Sequence, residues 1–248
     1  MLEHFKGDEE FVRKVLDYKT QAVDKYKIVL TKFLDPHLQN VVKSVIGADA
    51  AVYEEGGFIN CENKRLIICP SFYEIEPDDF KIKVFRVEYP EKFGVLEHKD
   101  VLGALMNLGL ERECIGDICK SPLAFSCASE NAEYIRQNLK KIKRFTVNLV
   151  EEDFSIAIEN TFRKKEFVVS SLRLDKIISA LFHLSRQKAA DAIRAGEVKV
   201  NHKNIELIDY LCNNSDIISF RRHGRVKLVV TDRVTRQNNQ VVEGLFYL

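Results

Sequence analysis

The chain has 248 residues, 46% of them hydrophobic and 30% charged, and a formal net charge of +1 at pH 7. That is length for two or three small domains of ordinary soluble composition. No apolar run reaches the ~18 residues that a membrane helix needs, so an integral helical membrane protein is excluded.

The stretch Met1 to Glu10 is charged and lacks the apolar core of a signal peptide, which sets the expectation of a cytoplasmic protein. Six cysteines stand at 61, 69, 114, 119, 127 and 212. Cys114 and Cys119 are closest, but no second pair or histidine cluster completes a zinc pattern. They read as reduced thiols, mostly in strands, with no metal or cofactor. Five prolines and no low-complexity tract require short linkers.

Asp8 to Lys25 reads as a helix, with Phe11, Val12, Val15, Leu16, Ala22, Val23 and Tyr26 mostly at three- and four-residue steps. Asp35-Pro36 is an N-cap followed by proline at the first helical position. Val41, Val42, Val45 and Ile46 form the stripe of that second helix, and Gly47 ends it. Strand-like pieces, Ala50 to Glu54 and Arg65 to Cys69, flank Gly56-Gly57. This pair is no nucleotide loop, since it lacks the longer glycine spacing and a following helix. We assign residues 1–78 to a small α/β domain.

The next segment runs strand (Lys81 to Tyr89), helix (His98 to Leu108, closed by Gly109) and strand (Cys114 to Lys120). Leu123, Phe125 and Cys127 then alternate with Ala124, Ser126 and Ala128. Ser129 is placed to cap a helix with Ala132, Ile135, Leu139 and Ile142 as its stripe. Phe145, Val147 and Leu149 alternate in a fourth strand. The order βαββαβ is the split-βαβ arrangement, which RNA-recognition sheets share with many enzymes and binding modules. The aromatic consensus that stacks bases is absent, and Phe85 and Phe125 read as core. Residues 79–160 are therefore an RRM-like domain. His98 reads as a helix-start residue packing locally, because no partner nucleophile is evident. Asp153 to Phe162 is a helix or an extended connector.

Charge then becomes uneven. Between Arg163 and Lys227 there are 14 Lys and Arg against 7 Asp and Glu, whereas the rest of the chain carries 24 against 30. A near-neutral chain with one strongly basic block is a nucleic-acid-binding pattern. Ser171 is placed to cap a helix bearing Leu174, Ile177, Ile178 and Leu181. Ser185 caps a second, from Arg186 to Ala195, and Gly196 ends it in the left-handed conformation. Arg173 and Lys176, with Ser185, Arg186 and Lys188 at the second helix start, form a phosphate-binding surface. Asp175 is placed to orient basic side chains. Val198 to His202 is a strand running into a turn. Ile217 to Phe220 leads through Arg221, Arg222 and Arg225, three further RNA-binding candidates, to the apolar run Val226 to Val230. Residues 231–248 read as a tail that pairs as strands.

The block resembles the S-four domain, the αL RNA-binding module named after a small-subunit ribosomal protein. The resemblance is carried by Arg173-Leu174-Asp175-Lys176, Ser185-Arg186, Ala189, Ile193, Gly196, Val198, Val200-Asn201 and Asp216-Ile217-Ile218. It places the module at 168–230. It implies that Arg173, Lys176, Ser185, Arg186, Lys188, Arg194, Lys199, Asn201 and Lys203 contact structured RNA. Where the family often has Gly-Asp, this chain has Asn213-Asn214-Ser215-Asp216, and Asn tolerates the left-handed turn.

Further segments resemble the YlmH family of bacterial proteins: Phe33-Leu34-Asp35-Pro36, Gly56-Gly57 with Lys64-Arg65-Leu66-Ile67 and Pro70, and His98 to Gly109 with Arg112 and Ile115-Gly116-Asp117-Ile118. The resemblance implies a ribosome-associated RNA-binding factor linked to rescue of stalled large subunits (the RqcP-type role), encoded among cell-division genes. Implied partners are large-subunit rRNA, tRNA and an RqcH-like elongation factor; we expect a monomer. The fold class is α+β, and the function non-catalytic RNA binding. Two alternatives differ in class. Arg173-Leu174-Asp175 resembles the signature of pseudouridine synthases, but only about 20 residues follow Lys227, too few for their catalytic domain. A cell-division or septum-placement factor is the other, although nothing forms a long coiled coil or membrane-binding helix.

Overall fold

A computed structural model describes residues 7–248; part of the charged start, residues 1–6, lies outside the described residues. The chain divides into two compact units, Met1–Glu159 and Asn160–Leu248.

The first unit opens with α1 (Glu9–Val23), β1 (Val29–Leu30), α2 (Pro36–Ile46), β2 (Ala51–Glu55) and β3 (Arg65–Cys69). The α2 boundaries follow from local chemistry. The Asp35 carboxylate accepts from the Leu38 amide at 3.0 Å, Pro36 occupies the first turn, and Gly47 closes the helix. The sheet is antiparallel in the order β1-β3-β2. Leu66 and Ile68 of β3 face α1 and α2, while Ile67 and Cys69 face Phe33, Phe80, Ile82 and Ala128. Both faces of β3 are thus buried.

The second half of this unit contains β4 (Ile82–Glu88), α3 (His98–Asn107), β5 (Ile115–Lys120), β6 (Leu123–Ala128), α4 (Ser129–Asn138), β7 (Lys141–Ile142), β8 (Phe145–Thr146) and β9 (Asn148–Glu152). Its antiparallel sheet runs β5-β6-β4-β9, the split-βαβ order. Phe85, Ile115, Phe125 and Cys127 pack against Val101, Leu105 and Ile135 of the two helices. Both phenylalanines are core, 1% and 0% exposed.

Two local expectations change. Ser129 is the first helical residue rather than the cap, which is Ala128. The segment from Phe145 is not one strand: Lys143 takes φ +51°, a tight β7–β8 hairpin forms, and the sheet strand starts at Asn148. In β6 all six residues are buried, because the small-residue face is covered too. Gly57 and Phe58 lie against it. A Cβ on Gly57 would fall 2.9 Å from Val84 Cγ2 and 3.1 Å from Ser126 Cβ. Phe154, Ile156 and Ile158 of the extended connector complete the cover. The main chain of Ile59 bonds Ile156 and Ile158 at 2.9 Å each.

The second unit contains β10 (Phe162–Val169), α5 (Leu174–Phe182), α6 (Arg186–Arg194), β11 (Val198–Val200), β12 (Lys203–Asn204), β13 (Ile217–Phe220), β14 (Gly224–Val234) and β15 (Gln240–Tyr247). The six strands form one antiparallel sheet in the order β10-β15-β14-β13-β11-β12. The segment from 231 onward therefore pairs within the same sheet as the basic block. Leu174, Ile177, Ile178 and Leu181, the stripe read from the sequence, are 0–2% exposed. They pack with Val198, Ile218, Val226, Leu228 and Val242 on one face of that sheet.

Candidate RNA interface

The first turns of α5 and α6 are brought together by one carboxylate. Asp175, the second residue of α5, is 3% exposed. It accepts from Arg173 Nε at 3.0 Å and from Arg186 Nη2, across the helix pair, at 3.1 Å. Burial pushes the Asp175 carboxyl up, but the hydrogen bonds from Arg173 and Arg186 outweigh it, and it is held below the ordinary carboxylate range. The carboxylate stays charged at neutral pH and fixes both guanidinium groups. Arg186 remains 65% exposed at its side chain, so its outer edge is open to a ligand. Lys176 and Lys188, the third residues of α5 and α6, have no carboxylate partner among the described residues.

The two helix starts differ. At α5 the cap is Arg173, not Ser171. The amides of Leu174 and Asp175 donate to the carbonyls of Tyr210 and Ile208 at 2.8 and 3.3 Å, so that end is satisfied from within. At α6, Ser185 Oγ accepts from the Lys188 amide at 3.3 Å, as its sequence position predicts. The amides of Arg186 and Gln187 have no partner among the described residues, leaving two donors at a helix N-terminus beside exposed cations.

The twelve sequence-read residues do not form one patch. Arg173, Lys176, Ser185, Arg186 and Lys188 gather at the helix starts. Arg194 closes α6, eight residues or about 12 Å along the axis from Arg186, and pairs with Asp191 at 3.3 Å. Arg221 and Arg222, in the β13–β14 loop, sit at that far end, where the Arg221 amide donates to Glu197 O at 2.9 Å. Lys199 and Arg225 point to the sheet face opposite the helices: neighbours Val198, Val200 and Val226 are buried against the helices, and strand side chains alternate. Asn201 is spent on the fold. Its Nδ2 donates to Asp216 at 2.8 Å and its Oδ1 accepts from the Ile217 amide at 2.8 Å. Asn201 and His202, both at positive φ, make the two-residue β11–β12 hairpin turn that leads to Lys203. The left-handed residue before Asp216 is Ser215, φ +71°, not an asparagine; Asn214 instead accepts from the Val230 amide.

The RRM-like sheet does not offer an open base-stacking face. Its helix-free side is closed by Gly57, Phe58 and the 154–158 segment. Polar groups of the motif-rich segments hold that arrangement. The buried Arg65 guanidinium donates to Thr31 O and Lys81 O at 2.9 Å and to Glu130 at 3.2 Å. The Asp117 carboxylate accepts from the amides of Glu62 and Asn63. Among the described residues, no three His, Cys, Asp or Glu side chains cluster as metal ligands, and no helix is long and apolar enough to cross a membrane.

Comparison with known proteins fits these two units. Family models described as "YlmH, N-terminal", "Putative RNA-binding domain in YlmH" and "S4 domain" match residues 7–73, 76–156 and 172–218. The Bacillus subtilis "Ribosome-associated protein quality control protein P2" is 34% identical over 244 residues, 95% of this chain and 94% of that one. A small ribosomal subunit protein uS4 from Caulobacter is 29% identical over 42% of this chain and 54% of its own. The solved structure of "Cell division protein ylmH from Streptococcus pneumoniae" superposes with a TM-score of 0.51 at 30% identity, covering 58% of this chain and 90% of that one. With near full-length coverage at 34% identity to the first of these relatives, and an α+β architecture ending in an S-four module, the chain belongs to the YlmH family.

Proposed function

We propose that this protein is a non-catalytic RNA-binding factor of the large ribosomal subunit, acting in ribosome-associated quality control. The observation that carries the reading is the Asp175 clamp. It fixes Arg173 and Arg186 where two helix starts meet, beside Lys176 and Lys188, which have no carboxylate partner among the described residues. Fixed guanidinium forks and open helix amides suit phosphates at defined spacing. A rigid, shape-selecting surface suits folded rather than sequence-defined RNA. The name of the Bacillus subtilis relative supports the ribosomal setting.

The finer reading is that the helix-start surface grips rRNA at the subunit interface and touches tRNA, with the first unit bracing it and an RqcH-like elongation factor as a partner. The protein acts as a cytoplasmic monomer, and no covalent bond is made or broken. Co-sedimentation with purified large subunits tests the anchor. Replacing Arg173 and Arg186 together by Ala should release the protein, and undiminished co-sedimentation of a folded variant rejects the surface. Mass spectrometry of RNA from a deletion strain tests the absence of catalysis; a missing modified base would reject it. The name of the Streptococcus pneumoniae relative favours a second reading, a role in division. Septal localisation that survives loss of ribosome binding would support it.

A further inference from the structure

Both helices of the second unit pack on one face of its six-stranded sheet. On the opposite face the strand register lines up one row. Phe162 pairs with Tyr247. Arg225 is stacked on the Tyr247 ring, 4.6 Å from its centroid, and pairs with Ser219 on its other side; Ser219 pairs with Lys199. Four steps of about 4.8 Å make this row roughly 19 Å long. The next row runs Lys164, Leu245, Lys227, Ile217. None of these nine side chains belongs to the buried core. Phe162 is 40% exposed, and its ring meets Tyr247 edge-on at 4.8 Å.

We infer that this face is a second RNA surface, distinct from the helix starts, and that it takes a short single-stranded segment. The aromatic pair offers a stacking platform that any base can use. Around it stand Arg225, Lys199, Lys227 and Lys164. Lys199 and Lys227 have no carboxylate partner among the described residues. Lys164 meets Glu243 at 2.8 Å, a carboxylate it shares with Arg233. An apolar protein partner would leave these cations buried without counter-charge, whereas a polynucleotide supplies bases for the rings and phosphates for the cations. A duplex cannot lay its bases on a sheet; an unpaired strand can.

The test uses the full chain and a fluorescein-labelled decamer of uridylate, read by anisotropy at low salt, beside co-sedimentation with large subunits. Phe162→Ala with Tyr247→Ala should weaken decamer binding about a hundredfold, roughly tenfold per ring. Lys176→Gln with Lys188→Gln should spare the decamer while lowering subunit affinity. In the unaltered protein, photo-crosslinking with 4-thiouridine in the decamer should map to Phe162 or Tyr247, a readout that needs no variant to fold. Lys199→Gln with Lys227→Gln, which keeps both rings, should flatten the salt dependence of decamer binding. Decamer binding unchanged in the ring variant, or crosslinks only at the helix starts, overturns the inference. So does a self-association that the ring variant abolishes without altering decamer binding. Loss of subunit binding in the lysine pair at the helix starts bears on the proposed function alone.

Discussion

Replacing Lys176 and Lys188 by glutamine is the cleanest probe of the helix-start surface. Arg173 and Arg186 share the buried Asp175, so removing them leaves a carboxylate without its partners and confounds binding with stability. Lys176 and Lys188 have no such tie among the described residues. Each phosphate neutralised contributes about 0.7–0.9 to the slope of log K against log salt, so losing two contacts should flatten that slope by about 1.6. At ~0.1 M monovalent salt the same two contacts amount to roughly 40-fold in affinity. Filter binding to large subunits across a potassium chloride series gives both numbers, and thermal melting checks the fold. A well-folded variant with the slope of the unaltered protein would refute the assignment of phosphate contacts to these two helix starts.

Other outcomes follow from the same geometry. Asp175→Ala should cost about 2 kcal/mol, the loss of a buried acceptor of two charge-assisted bonds, measured by urea unfolding; an unchanged midpoint would show that the clamp is not stabilising. Because the Asp175 carboxyl lies below its ordinary range when folded, its contribution is complete above the unfolded value of ~3.9 and is lost as pH falls through the lower folded value. An acid titration should show this loss below about pH 4 in the unaltered protein and not in Asp175→Asn. Gly57→Ala combines φ +87° with contacts of 2.9–3.1 Å and should destabilise the first unit by about 3 kcal/mol; a neutral effect would mean the sheet face is not tightly covered. Phe125→Ala should cost about 3–5 kcal/mol while the folded fraction keeps its affinity for large subunits; the reverse pattern would make Phe125 a base-stacking residue. Burial pushes the Cys127 and Cys212 thiols up to about 12. Both should resist alkylation at pH 8 until the protein is unfolded, while the partly buried Cys61 and Cys114 react first.

The sequence is most legible where structure is local. Asp35-Pro36 with Gly47 announces α2, and Ser185 with Gly196 announces α6, because capping bonds span three or four residues. It is least legible where a distant segment decides. The alternation in β6 pairs large with small residues, and nothing local says what covers the small row. Ala124, Ser126 and Ala128 are small because Gly57, Phe58 and Phe33 come in from more than 65 residues away. That Asp175 orients basic side chains is readable from its neighbours. That one of them is Arg186, on the next helix, is not, since it depends on how α5 packs on α6. Asn201 reads as a polar RNA contact from its motif position, yet both ends of its amide tie the β11–β12 turn to the start of β13. The sheet row through Phe162 and Tyr247 joins residues 85 apart in sequence, and only strand register can place them side by side.

The distribution of ion pairs explains why a chain of net charge +1 can still attract a polyanion. In the first unit a set of cations is matched locally: Lys64 to Glu54, Lys83 and Arg136 to Glu151, Arg86 to Glu152, and Lys143 to Asp100, all at 2.5–2.7 Å. Exposed pairs of this kind contribute little to stability, but they cancel the field at short range. In the second unit Lys176, Lys188, Lys199, Arg221, Arg222 and Lys227 have no such partner among the described residues. Their mutual repulsion is a cost of the free fold, relieved when phosphates arrive. Added salt therefore acts in opposite senses on the two forms, screening repulsion within the free unit and attraction within the complex.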